Sequence, residues 1–300
     1  MKPDILFWFY KEFDICKDRL KCLRESNSDI KIFALYGGPL DKSDMARDSV
    51  HMLVDDFYAY HYEKNPEWKW KHGEQLISTW FVERGNFLEW DTVFVMQWDM
   101  LILAPIENLF SNLRQGEILL SGFKPLKEID SWWSWGSPEN PELLEFKKML
   151  KEKYSYESDV YACLFIVVCL PRTFLEQYAN IGAPETGFLE YKFPTLAKVF
   201  NTPICKDKQF DPWWAANPET RNAPWEEKTL NAVSNAIPTS AILAQLANDN
   251  GKRIFHPVFN KPPSWIIKSR NVKLLIYAFK IWELIKNITD NIKSSVKGTR

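Results

Sequence analysis

The stretch Trp90-Asp-Thr-Val-Phe-Val-Met-Gln-Trp-Asp-Met-Leu-Ile-Leu103 decides how the rest of the chain folds. Its apolar run, Thr92 to Met96, is what a strand covered on both faces requires. Gln97-Trp98-Asp99 ends the run, and a second apolar stretch begins at once with Met100. In an open α/β sheet, ligands bind beyond the carboxyl ends of the strands. A carboxylate at Asp99 therefore stands where it can hold a divalent cation that grips a diphosphate. The plainer alternative makes Asp99 a turn residue between two short strands.

Working outward, residues 74–84 place Leu76, Ile77, Trp80 and Phe81 on a helix closed by Gly85-Asn86. Upstream, Ile5 to Tyr10 is a continuous apolar run and reads as a first buried strand. Residues 14–26 set Ile15, Leu20 and Leu23 among Lys and Arg, the pattern of a surface helix. Ile30 to Tyr36 is a second strand, stopped by Gly37-Gly38-Pro39. Downstream, Glu117–Ser121 and Ala162–Leu170 read as strands, and residues 141–153 and 171–178 as helices that begin at Pro. This alternation predicts an α/β fold with a mainly parallel central sheet flanked by helices. From Pro203 to Trp225 no period is visible; Trp213, Trp214 and Trp225 make a packed lid the expectation over a disordered loop.

Composition narrows the function classes. The 300 residues carry 38 Lys+Arg against 39 Asp+Glu, a formal charge of −1, which excludes a bulk nucleic-acid binder. Five Cys, an odd number with no CxxC pair, argue against a disulfide framework or a zinc site and for reduced thiols in the cytoplasm. The Ile5–Tyr10 run is too short for a signal peptide, and no apolar stretch reaches the roughly 18 residues of a membrane span. Aromatic content is high at 15%, with 14 Trp, a composition that suits sugar-facing or interfacial surfaces as well as a core.

The C-terminal segment is different in character, so the expected division is one domain over residues 1–265 and a basic amphipathic helix and tail over 266–300. From Val272 to about Ile292, Leu274, Ile281, Ile285, Ile288 and Ile292 share a stripe, with Lys286, Lys293 and Lys297 opposite. Such a helix either packs on the domain or lies on an anionic membrane surface, which would make the protein peripheral on the inner face.

With these elements in place the sequence resembles the GT-A nucleotide-sugar-dependent glycosyltransferases of bacterial type, over residues 4–262. Their hallmark is Asp-x-Asp at the end of such a strand, where it binds Mn²⁺ or Mg²⁺ and the donor diphosphate. Here Gln97-Trp98-Asp99 stands in that place, with the first acid replaced by Gln, a poor cation ligand that can still hydrogen-bond ribose or phosphate. Gly182 to Glu190, followed by Pro194-Thr195-Leu196, is similar to the stretch whose acid deprotonates the acceptor hydroxyl. The resemblance implies Glu190 as base, with Glu185 second. In Arg253 to Pro262, His256 matches a late His that joins the cation, and Lys261 a Lys on the diphosphate.

What the resemblance implies is transfer of a sugar from a nucleotide-sugar donor to a glycan or lipid-linked glycan, with inversion if an acid base is used. Gln97, Trp98, Asp99 and Lys261 would bind the donor, and Asp99 with His256 the cation. Each also has an ordinary structural explanation: Glu185 and Glu190 as helix-start acids, His256 as a buried hydrogen-bonded ring. Trp132, Trp133 and Trp135 fit either sugar stacking or lid packing. Two rivals stand beside this: a degenerate GT-A domain that binds without turnover, and a nucleotidyltransferase, for which Tyr36-Gly-Gly-Pro-Leu40 lacks the basic residue a triphosphate loop needs. No P-loop, G-x-S-x-G elbow or His-pair metal motif is present.

Overall fold

The computed structural model describes residues 2–181, 185–233, 235–261 and Ile281. Its centre is a seven-stranded sheet. The amino-terminal half supplies β1 (Asp4–Phe9), β2 (Ile32–Tyr36), β3 (Asp56–Ala59) and β4 (Thr92–Gln97), alternating with α1 (Phe13–Ser26), α2 (Ser43–Val50), α3 (Pro66–Lys71) and α4 (Glu74–Glu83). After β5 (Leu101–Ile102) and the short α5 (Ile106–Leu109) come β6 (Ile118–Leu120), β7 (Lys124–Pro125) and α6 (Pro141–Tyr154). The remainder is β8 (Tyr161–Ala162), β9 (Val168–Pro171), α7 (Arg172–Asn180), α8 (Leu189–Val199), β10 (Ile204–Cys205), α9 (Thr239–Ala247) and β11 (Ile254–Phe255).

Strand order in the sheet is β10-β6-β9-β4-β1-β2-β3, with β9 alone antiparallel to its neighbours. The fold is thus α/β with a mainly parallel sheet, as the alternation predicts. Its parallel half has the order 3-2-1-4 of a Rossmann-type doubly wound sheet, in which the direction of winding reverses between β1 and β4. Every residue of β2 is buried, as are Thr92 to Met96 of β4, so both strands read as unbroken apolar runs.

Strand alternation sorts the side chains onto two faces. Phe9 meets Phe13 of α1 on one, while Phe33, paired with Leu6, meets Trp80 of α4 on the other. Trp8 and Gln97 are register partners and share the α4 face. Helix ends carry their local signals: Asn65 and Asn140 accept from backbone amides of α3 and α6, each with Pro at the first position. A second, antiparallel ribbon pairs β5 with β11 and is covered by α9 through Leu101, Ile242 and Phe255.

One expectation needs correction. Ala162–Leu170 is not one strand. Ala162 ends β8, which pairs with β7; residues 163–167 form a buried turn, and β9 starts at Val168. Periodicity cannot separate a buried turn from a buried strand when every side chain is apolar. The Pro203–Trp225 segment opens with the edge strand β10 and is packed, with Trp214 against Trp132 and Trp133. The C-terminal amphipathic helix lies outside the described residues, apart from Ile281. Among the described residues no helix is long and apolar enough to cross a membrane.

Candidate functional site

The winding of the sheet reverses between β1 and β4, and a sheet of this order takes its ligand beyond the carboxyl ends of these strands. Trp98 N donates to the Trp8 carbonyl at 3.0 Å, carrying the pairing just past the strands. Tyr10 and Lys11 leave β1 here, and Gln97, Trp98 and Asp99 leave β4. Lys11 Nζ stands 5.0 Å from the Trp98 ring centroid and 5.4 Å from that of Tyr10, which is 44% exposed. Beside them β2 ends at Gly37-Gly38. A Cβ at Gly38 would come within 2.6 Å of the Tyr10 carbonyl, so glycine is what allows the two chain segments to approach.

Asp99 and His256 meet on the α1 side of this edge. β5 and β11 bring them together: Leu101 pairs with Phe255, so the chain running back from Leu101 reaches Asp99 as the partner runs forward to Val258. Val258 N donates to the Asp99 carbonyl at 2.7 Å. Both side chains are buried, with His256 Nε2 and Asp99 Oδ1 3.3 Å apart. That separation is an ion-pair distance, yet among the described residues neither atom has an aligned hydrogen bond.

Proton bookkeeping explains the tension. His256 Nδ1 lies 2.7 Å from the Asn231 carbonyl, which can only accept, so Nδ1 carries hydrogen. A neutral ring would then turn the Nε2 lone pair toward a carboxylate oxygen. Two acceptors face each other across 3.3 Å, and a cation must sit with them, either a proton on Nε2 or a metal ion. Burial opposes both charges, but it is outweighed: the Asp99 carboxylate and the Asn231 carbonyl raise the His256 pKa, while His256 and Lys11 lower that of Asp99.

The Asp99 carboxylate fits the implied Mn²⁺ or Mg²⁺, which take one or two carboxylates and fill the rest with substrate phosphate and water, while the His256 imidazole is a softer donor that suits Mn²⁺ better than Mg²⁺. Among the described residues no third His, Cys, Asp or Glu completes a cluster.

The segment carrying His256 is pinned from α1. Arg19 is fully buried and donates through Nη2 to the carbonyls of Val258 and Asn260, both at 2.9 Å. Lys261 follows directly, exposed, with Nζ 3.9 Å from Asp14 at the start of α1. It therefore stands on the same side of the edge as Asp99 and His256.

Glu190 lies in the first turn of α8, half-buried, against the 163–167 turn. Phe165 N donates to Glu190 Oε1 at 2.9 Å and Cys163 N to its backbone carbonyl at 2.8 Å. Among the described residues no cation approaches closely enough to shift its carboxyl. Burial pushes its pKa up to about 8, and the Phe165 amide pulls only weakly the other way. Gln97 reaches the same residue from β4, its Nε2 2.6 Å from the Phe165 carbonyl. One residue, Phe165, thus joins the end of β4 to the Glu190 carboxyl. Glu185 is held differently: it is exposed, paired with Lys64 Nζ at 2.9 Å, and that bond lowers its pKa.

No family profile matches this sequence, and no curated protein matches it. Among solved structures it is similar to the bifunctional glycosyltransferase WbbM in its apo form, at 8% identity and TM-score 0.44 over 88% of this chain. The chain spans about half of that protein, 47%. It is also similar to apo mouse xyloside xylosyltransferase 1, at 10% identity and TM-score 0.33, over 69% of this chain and 79% of that one.

The Trp-rich segment 132–135 divides. Trp133 is buried and meets Trp214 and Phe188; Trp132 also packs on Trp214. Trp135 is half-buried and meets Phe188 and Trp70, whose ring is 52% exposed. Trp70 also touches Phe188, two residues before Glu190. Lys11, Arg19, Trp70 and Phe165 are missing from the sequence-based site. Arg19 had a signal: it lies on the stripe of Cys16, Leu20 and Leu23, a cation where a helix should be apolar. Lys11 had one too, as the cation nearest the carboxyl end of the first strand.

Proposed function

We propose that this chain is a glycosyltransferase that moves a sugar from a nucleotide-sugar donor to a glycan or lipid-linked glycan, with a divalent cation and inversion. The observation that carries it is the placing of two unlike acidic centres around one strand end, at the winding reversal of the sheet. Asp99 is ionised and faces a buried imidazole across 3.3 Å. Glu190, tied to Gln97 through Phe165, carries a carboxyl whose pKa lies near the working range of a base, at about 8.

Asp99 Oδ1 and His256 Nε2 would hold Mn²⁺ or Mg²⁺, which supplies positive charge for the diphosphate when bound. Lys11 and Lys261 stand on the same edge and add charge toward the leaving group. The exposed Tyr10 ring offers apolar surface to the nucleoside. In the displacement, ionised Glu190 accepts the acceptor hydroxyl proton as that oxygen bonds to the anomeric carbon. The bond from that carbon to the diphosphate oxygen breaks, and its electron pair leaves with the diphosphate. Trp70 and Trp135, linked to the Glu190 helix start through Phe188, are the aromatic faces for an acceptor sugar ring.

Release of nucleoside diphosphate from a panel of UDP-, GDP-, CMP- and dTDP-sugars, with glycan acceptors and Mn²⁺, tests the proposal (CMP release in the third case). One donor should be consumed in an acceptor-dependent way. Tight donor binding with no turnover for any acceptor would favour a binding domain instead.

A further inference from the structure

Gln97 occupies the first position of the motif, where an acid would be a cation ligand, and its amide is already engaged. Nε2 donates to the Phe165 carbonyl at 2.6 Å, on the α4 face of the sheet, whereas Asp99 turns toward α1. The turn it reaches is anchored at several further points. Ser121 at the end of β6 donates from Oγ to the Leu164 carbonyl at 2.6 Å and accepts from Val167 N at 3.2 Å. The Ser121 carbonyl accepts from Leu164 N at 2.9 Å. On the far side the same turn gives Phe165 N to Glu190 Oε1 at 2.9 Å.

We propose that Gln97 is a positioning residue: it holds the Phe165 turn, and through it sets the Glu190 carboxyl in place relative to the end of β4. This rests on Glu190 being the base. The chemistry of the pair explains the residue type. A backbone carbonyl only accepts, so its partner must donate, and neither Asp nor Glu does so when ionised. An acid at position 97 would set a carboxylate against the Phe165 oxygen and release the turn. The amide is therefore a substitution with a function of its own, coupling the donor-side strand to the acceptor-side helix. The titratable neighbour of Glu190 on the turn is Cys163, whose buried thiol is held well above its ordinary range and stays neutral. The Phe165 amide is then the polar contact that favours the ionised Glu190.

The test is Gln97→Met, which keeps length and removes the donor. The Glu190 carboxyl is followed by infrared titration of ¹³C-glutamate-labelled protein, its band assigned by its loss in Glu190→Gln. The proposal expects the Glu190 pKa to rise by about half a unit or more as the Phe165 amide loosens. It also expects kcat to fall by about tenfold and the pH–rate limb to move with the carboxyl, while donor KM and Mn²⁺-dependent nucleotide affinity stay within about twofold. An unmoved Glu190 titration in folded Gln97→Met overturns it, and so does a large loss of nucleotide affinity, which would make Gln97 a donor contact. Should Gln97→Met not fold, Ser121→Ala loosens the same turn from the other side and is read by the same titration. A shifted carboxyl in Gln97→Met together with full turnover in Glu190→Gln supports the positioning and removes Glu190 as base.

Discussion

Two acidic corners lie on opposite faces of one strand end, and their surroundings push their carboxyls in opposite directions. On the α1 side Asp99 is buried against His256 and near Lys11, and its pKa is lowered. On the α4 side Glu190 meets amides, an uncharged turn and a neutral thiol, and burial alone raises its pKa to about 8. On the proposed reading the first corner keeps its charge and holds a cation. On the same reading the second, with its raised pKa, is the one that exchanges a proton. Environment, not residue type, divides the two pKa values.

The largest expected break comes from Glu190→Gln, which retains the Phe165 contact but cannot take a proton. Turnover should fall by about 10²–10⁴-fold with nucleotide affinity unchanged. A steady-state assay with a parallel binding titration checks this, and a variant with full activity would move the base elsewhere.

A third acid sharpens the contrast by showing what a structural carboxylate looks like. Glu74 of α4 is fully buried and meets Lys192 Nζ of α8 at 2.6 Å, with Tyr178 Oη donating to it at 3.3 Å. Lys192→Met leaves Glu74 without its cation and should destabilise the fold by about 3–5 kcal/mol. Urea unfolding measures it; a loss below about 1 kcal/mol would mean the pair is dispensable for joining α4 to α8.

The same environment that readies Glu190 makes it costly at alkaline pH. Its folded pKa lies above the ordinary carboxyl value of 4.5, so the native state favours the protonated form. That contribution is whole at acid pH and is lost as pH rises through about 8. Glu190→Gln should therefore melt higher than the unsubstituted protein at pH about 9, with the gain vanishing near pH 4. A melting-temperature difference that does not change between these limits would contradict the raised pKa. The smallest effect should come from Trp70→Ala, which removes an exposed ring: acceptor KM rising by about three- to thirtyfold, donor KM unchanged. An unchanged acceptor KM would take the Trp70–Trp135 pair out of the site.

The Asp99 corner was legible because it obeys a rule of position. A carboxylate just past a buried strand, and a His ending a late apolar segment, are features of local sequence. Pairing β5 with β11 was all that was needed to unite them. The Glu190 corner was half legible. Glu190 itself stood out, but the turn at 163–167 hides inside an apolar run, and its contacts to Gln97 and Glu190 run through the Phe165 backbone, which no side-chain pattern reports. The sheet shows the same division. β1, β2 and β4 are apolar throughout and were readable; β3, Asp-Phe-Tyr-Ala at the sheet edge, is only partly buried and carries no such run. The helices α2, α3 and α9 are short, and amphipathic patterns over so few residues do not stand clear of loops.

The central claim is that Asp99 and His256 hold a nucleotide diphosphate with a divalent cation, and calorimetric titration tests it most directly. UDP, GDP, CMP and dTDP would be titrated into the protein with and without Mn²⁺, and again into Asp99→Asn. The account predicts that one nucleotide binds, that Mn²⁺ tightens it by about tenfold or more, and that Asp99→Asn abolishes the metal effect. Binding that is indifferent to both Mn²⁺ and Asp99, or no binding by any of the four, would contradict it.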